Sequence, residues 1–223
     1  MSNPFFLNRL ASEPHALAFA GQSTPWPVAL ADETANPVLD ERLHEHMRSA
    51  QNLLYPVSAD LLATTGRPVD LFGFTPNPAK LGAAANAAAS VPGIALSQLG
   101  ALIDAEELGY KPAEAKPVAV LGHSQGILAV HMVQAIREAG SVEAAASKID
   151  EILAIATLIG VAGTRQARQL GLAARHGDAT PMLSVKDITR AQVDALIERV
   201  DGARGPIAVA VTNSATHYVL SGY

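Results

Sequence analysis

Cysteine is absent from the 223-residue chain, which excludes disulfides, thiolate catalysis and Cys-ligated zinc. Charge is also sparse: only 17% of residues are charged, the formal net charge is −5, and the basic residues are scattered. A nucleic-acid footprint needs a basic patch or stripe, so no nucleic-acid partner is expected. No apolar run reaches the ~18 residues of a membrane span. The start, Met1 to Leu10, lacks the basic opening and apolar stretch of a secretory signal. A soluble, cytoplasmic chain with no membrane partner is the expectation. His44 and His46 are two apart, on different faces of a helix, which is not the i, i+4 arrangement zinc favours, so no metal site is expected. Phosphate-loop and dinucleotide fingerprints are missing too.

What is present is apolar material: 49% of the residues are hydrophobic, which excludes intrinsic disorder. The length suits one large domain, or a core with a small subdomain. His15–Ala20 reads as a buried strand stopped by Gly21, followed by a loop carrying Gln22, Pro25, Trp26 and Pro27. Asn36 to Thr65 has helical periodicity, Gly66 ends it, and Arg67–Pro78 is a proline-bearing loop. A second helix is expected over Pro92–Leu108. Pro117–Leu121 reads as a strand, Ile127–Ala139 as a helix ended by Gly140, and Val142 to about Leu172 as another long helix. After the polar stretch Arg175–Thr180 the pattern changes scale. Met182–Val185, Ile188–Val200, Ile207–Val211 and His217–Leu220 read as βαββ, the opening of a ferredoxin-like unit. The expected organisation is an α/β core of parallel strands with flanking helices over residues 1–178. A ferredoxin-like subdomain over 179–223 follows it, cut short at Tyr223, with the active site in the cleft between them.

The chemistry is concentrated in Gly122-His123-Ser124-Gln125-Gly126, a G-x-S-x-G pattern between an expected strand and an expected helix. Such a turn is tight and strained, which is why it needs glycine on both sides of the serine. The serine then projects at a helix N-terminus, where free amides and the helix dipole stabilise a developing oxyanion. The amide of Gln125 is the first candidate donor. A glycine-bounded turn with an inert serine is the bland alternative.

This elbow resembles the nucleophile motif of the acyltransferases that move acyl groups from coenzyme A to acyl carrier protein. Its Gln125 is typical of the type I fatty acid synthases of fungi and actinobacteria. Phe19-Ala-Gly-Gln-Ser-Thr-Pro-Trp26 resembles that family's G-Q-G-x-x-W loop, with Ser23 in place of the second glycine. Ile159–Arg165 and Val211–Gly222 resemble later segments of the acetyltransferase domain that opens the actinobacterial synthase. The resemblance implies an α/β-hydrolase-like acyltransferase core, with Ser124 as the acyl-forming nucleophile and Gln22 and Gln125 as oxyanion-hole donors. It leaves His123 a structural part of the elbow.

The resemblance also implies acetyl-CoA as substrate and the phosphopantetheine arm of an acyl carrier protein domain as acceptor. The remaining synthase domains would be partners in a homo-oligomeric assembly. No cofactor is expected on these residues; NADPH and FMN would belong to downstream domains. Malonyl-selective relatives carry an arginine that pairs with the substrate carboxylate. Ile159 falls at that position, which predicts an acetyl preference, with Arg165 six residues on as the residue that could weaken it.

The family's catalytic histidine follows the ferredoxin-like subdomain, and none of the seven histidines matches it. His15, His44, His46, His131 and His176 read as surface or packing residues, and His217 is the one with some chance of facing the cleft. The chain is therefore expected to be the N-terminal part of a larger enzyme and inactive alone. Two further readings stay open. One is an α/β-type serine hydrolase or thioesterase, with His176 or His217 as base. The other is an inert structural or interaction piece with an unpaired sheet edge.

Overall fold

The structure is a computed structural model that describes residues 12–21, 26–54, 87–169, 182–204 and 207–222. Gln22, Ser23, Pro25, His176, the loop at 67–78, the expected helix beyond residue 54 and the boundary at 178/179 lie outside them. The architecture is mixed α/β, and the chain divides into two compact units, Met1–Arg165 and Gln166–Tyr223.

The first unit is built on two parallel strands, β1 (Ala16–Phe19) and β2 (Ala119–Gly122), in register from Ala16 opposite Ala119 to Phe19 opposite Gly122. Parallel neighbours need a long crossover, and helices supply it. They are α1 (Trp26–Thr34), α2 (Pro37–Leu54), α3 (Ala87–Glu107) and the short α4 (Pro112–Ala115). After β2 come a 3₁₀ turn over Ser124–Gly126, α5 (Ile127–Ala139) and α6 (Ala146–Gln169).

α3 is the centre of this unit. Everything from Ser90 to Gly100 is buried, together with Leu102 and Ile103. Ile94, Leu99 and Ile103 are fully enclosed, each contributing about 1.5–3 kcal/mol of apolar burial. By length and composition this helix could cross a membrane, contrary to the expectation of no apolar run that long. In the fold its apolar surface is spent on α1, α2 and α5. It starts at Ala87 rather than at Pro92, which lies inside it. Proline removes one intrahelical bond, and α6 helps anchor this end: Thr164 Oγ1 accepts from Ala88 N at 2.9 Å.

Trp26 and Pro27, expected in a loop, open α1. Proline in a first helical turn sacrifices no bond, since those amides have no partner within the helix. Burial of Trp26 and Leu30 then ties the helix to the core. The indole lies over Gly93, where any side chain would collide with it. α5 runs over Ile127–Ala139 as expected, ended by Gly140 at φ 99°, with Gly140 N donating to Ile136 O at 2.7 Å.

The second unit holds three antiparallel strands, β3 (Met182–Lys186), β4 (Ile207–Ser214) and β5 (His217–Gly222), in the order β3-β5-β4, with α7 (Arg190–Arg204) between β3 and β4. Val193, Tyr218 and Leu220 form its buried centre, with Val185, Ile197, Ile207 and Val209 packed around them. The first–third–second strand order is that of a ferredoxin-like βαββ. Asn213 and Ser214, expected in a loop, extend β4, with register irregularities at Val209/Val211 and Thr212/Ser214.

Candidate active site

β2 delivers the chain into the elbow and α5 carries it away. Between them Ser124 sits at φ 55°, in the left-handed region that non-glycine residues avoid. That conformation costs of order 1–3 kcal/mol and persists only where surrounding structure enforces it. Three backbone contacts enforce it here. Gly126 N donates to His123 O at 2.9 Å, closing the turn. His123 N donates to Phe19 O at 2.9 Å, tying the turn to the end of β1. Val118 N donates to His15 O at 2.9 Å, aligning the two strands below.

The glycines are required by contact. A Cβ on Gly122 would lie 2.5 Å from the backbone of Gly126 and Ile127, and one on Gly126 would run into the Phe19 carbonyl. A Cβ on Gly21 would lie 2.7 Å from both His123 O and Ser124 Cβ, and 3.3 Å from Gln125 N. The end of β1, with Ala20 and Gly21, is therefore laid directly on the serine turn. Ser124 and His123 are exposed, Gln125 is half-buried and Gly126 is buried.

Gln125 N belongs to the first turn of the 3₁₀–α5 segment, whose amides have no preceding carbonyl within the helix. A negative charge developing next to Ser124 is favoured there by these amides and by the dipole of α5. Gln125 Oε1 is buried without a hydrogen-bond partner.

Sequence reasoning overlooked Gln98. From the buried middle of α3 its Nε2 donates to Ala20 O at 2.6 Å, one residue before Gly21. The only sequence signal for it was a polar residue inside an otherwise apolar helical run.

The histidines are dispersed. His15 meets Glu13 O at 2.8 Å and Tyr110 Oη at 2.5 Å. His44 Nδ1 lies 3.1 Å from Asp40, and His131 lies exposed on α5. His46 is buried, its Nδ1 2.6 Å from Asp150 Oδ1, in a groove of about 910 Å³ that also takes in Arg42, Arg48 and Glu143 and shares no residue with the elbow. His217 Nε2 lies 2.9 Å from Ser184 Oγ and 3.5 Å from Asn213 Nδ2 within the second unit. Among the described residues, no histidine hydrogen-bonds Ser124. Ile159 lies half-exposed on α6 beside Ile155 and Leu158, and Arg165 is exposed further along the same helix.

The site is thus a strand, a strained serine turn bounded by glycines and a helix, with Gly21 from the end of the parallel neighbour strand laid against the turn. The family model described as starter unit:ACP transacylase in aflatoxin biosynthesis matches residues 79–222, and the chain belongs to this starter unit:ACP transacylase family. No curated protein gives a significant match.

Proposed function

We propose that the protein loads an acetyl starter unit, taking it from acetyl-CoA onto Ser124 and passing it to the phosphopantetheine thiol of an acyl carrier protein, within a type I fatty acid synthase. Membership of the starter-unit transacylase family supports acyl transfer to a carrier protein as the reaction class. The observation that carries the reading is the elbow itself: Ser124 at φ 55° beneath Gly21, with Gln125 N alongside.

The chemistry is a two-step exchange. Ser124 Oγ attacks the thioester carbonyl, its proton passing to a base, and an oxyanion forms beside the Gln125 amide. Collapse breaks the C–S bond, and the coenzyme A thiolate leaves with the proton returned by the base. The carrier thiol then attacks the seryl ester, regenerating Ser124 and forming a new thioester. By the resemblance, the second oxyanion donor is the amide of Gln22, which follows Gly21, and the base is the family's catalytic histidine, which follows the ferredoxin-like subdomain and matches none of the seven histidines here. The acetyl preference rests on the resemblance that sets Ile159 where malonyl-selective relatives carry arginine: an apolar residue offers no charged partner to a malonyl carboxylate.

The test is transfer of radiolabelled acetyl from acetyl-CoA to pantetheine by the full-length native protein and its Ser124→Ala variant. Acetyl-pantetheine from the native protein alone supports the reading. Free acetate as the sole product would replace it with hydrolysis, and equal transfer by both proteins would remove Ser124 from the reaction.

A further inference from the structure

We infer that Gln98 is a positioning residue for the acyl-transfer centre, a clamp that holds Ala20–Gly21, at the end of β1, down on the serine turn. The inference deepens the reading of Ser124 as acyl carrier and rests on it.

The clamp follows from three contacts. Gln98 is buried, 7% exposed, in the apolar middle of α3. Its Nε2 donates to Ala20 O at 2.6 Å, across 78 residues of sequence. Ala20 O in turn lies 3.0 Å from where a Cβ of Gly126 would stand, and the next residue, Gly21, lies against Ser124 Cβ and Gln125 N. One side-chain amide thus fixes the peptide that bridges β1 to the elbow. A carbonyl can only accept, so the amide is oriented with Nε2 toward Ala20. Its Oε1 is left buried with no partner.

That orphan oxygen is the second half of the argument. Buried polar atoms without partners are costly, and a methionine of similar length would fill the same space without that cost. A glutamine here weakens the core locally in return for one directed bond to the loop. Rules of core composition are broken in this way where a site must be held in place. Acyl transfer is sensitive to such placement, since a misplacement of about 1 Å in a catalytic group can cost on the order of 10²-fold in rate.

The experiment compares native protein with Gln98→Met and Gln98→Glu, measuring kcat and KM for acetyl transfer from acetyl-CoA, together with amide hydrogen exchange. For Gln98→Met the expected result is a fall in kcat on the order of 10- to 100-fold, with KM within about twofold. Faster exchange should be confined to segments containing Ala20–Gly21 and His123–Gly126. Gln98→Glu regains a donor when its carboxyl is protonated. Its activity relative to native protein should therefore rise as pH falls, a recovery that Gln98→Met cannot show.

Unchanged kcat with unchanged local exchange would overturn the clamp. So would faster exchange across the whole of α3 with kcat per folded molecule intact, which is the signature of mere packing. If the full-length native protein transfers no acetyl group, the acyl-transfer reading fails by itself. Local exchange in Gln98→Met then decides the clamp separately: opened at Ala20–Gly21 it stands, unchanged it falls.

Discussion

Gly21 and Ser124 are 103 positions apart in sequence, yet a Cβ on the first would stand 2.7 Å from the Cβ of the second. Gly21, at the end of β1, is thereby laid on the serine turn at the end of β2, and the parallel pairing of the two strands is what brings them together. The site is thus made by two crossover ends of one small sheet, where ligands of α/β proteins gather.

Gly21→Ala tests that contact. The new methyl meets backbone on one side and the serine Cβ on the other, so the loop must move away. The expected outcome is about 1–3 kcal/mol of lost stability by thermal unfolding. Acetyl transfer should drop on the order of 10²-fold. Unchanged transfer would show that the loop is not part of the site.

Strain at Ser124 has its own test. With φ at 55°, glycine fits the position better than alanine. Both Ser124→Ala and Ser124→Gly should abolish acetyl transfer, and the glycine variant should be the more stable by about 1 kcal/mol. Equal melting temperatures would mean the turn relaxes once the hydroxyl is gone.

Glu33 gives a pH dependence. On α1 its carboxyl is pushed up to about 8, chiefly by burial and then by the charges of Asp104 and Asp32, against Gly100 of α3. The unfolded chain ionises this group in the ordinary range near 4.5, whereas the folded chain keeps it protonated up to about 8. Between those values the folded state binds the extra proton, so stability is full below the lower one, falls as pH rises and levels off above the upper. Melting temperatures at pH 5, 7 and 9 should fall less steeply in Glu33→Gln than in native protein. Parallel slopes would contradict the assignment.

The buried His46–Asp150 pair ties α2 to α6. Asp150→Ala should cost about 2–4 kcal/mol by leaving the imidazole buried and unpaired. Acetyl transfer per folded molecule should not change, because the pair shares no contact with the elbow. A selective loss of kcat without a loss of stability would place it in the reaction.

Much of this architecture was legible in residue order. The β-rich run Pro117–Leu121, the glycine-bounded turn and Gly140 are local signals, and local signals located β2, the elbow and α5. The start of α1 was misread because Pro25 and Pro27 suggest a loop, while the indole's burial against Gly93 is invisible from sequence. Gln98 and the His46–Asp150 pair escaped for a related reason. Their partners lie 78 and 104 positions away, and nothing in the intervening residues announces the meeting. The elbow was readable because its geometry is dictated by five consecutive residues. The struts that hold it were not.

The most direct measurement is the mass of the Ser124-containing peptide from native protein mixed with acetyl-CoA and quenched in acid. The account predicts one added acetyl group on Ser124, lost when pantetheine is supplied before quenching. An unmodified Ser124 while acetyl transfer to pantetheine proceeds would contradict it.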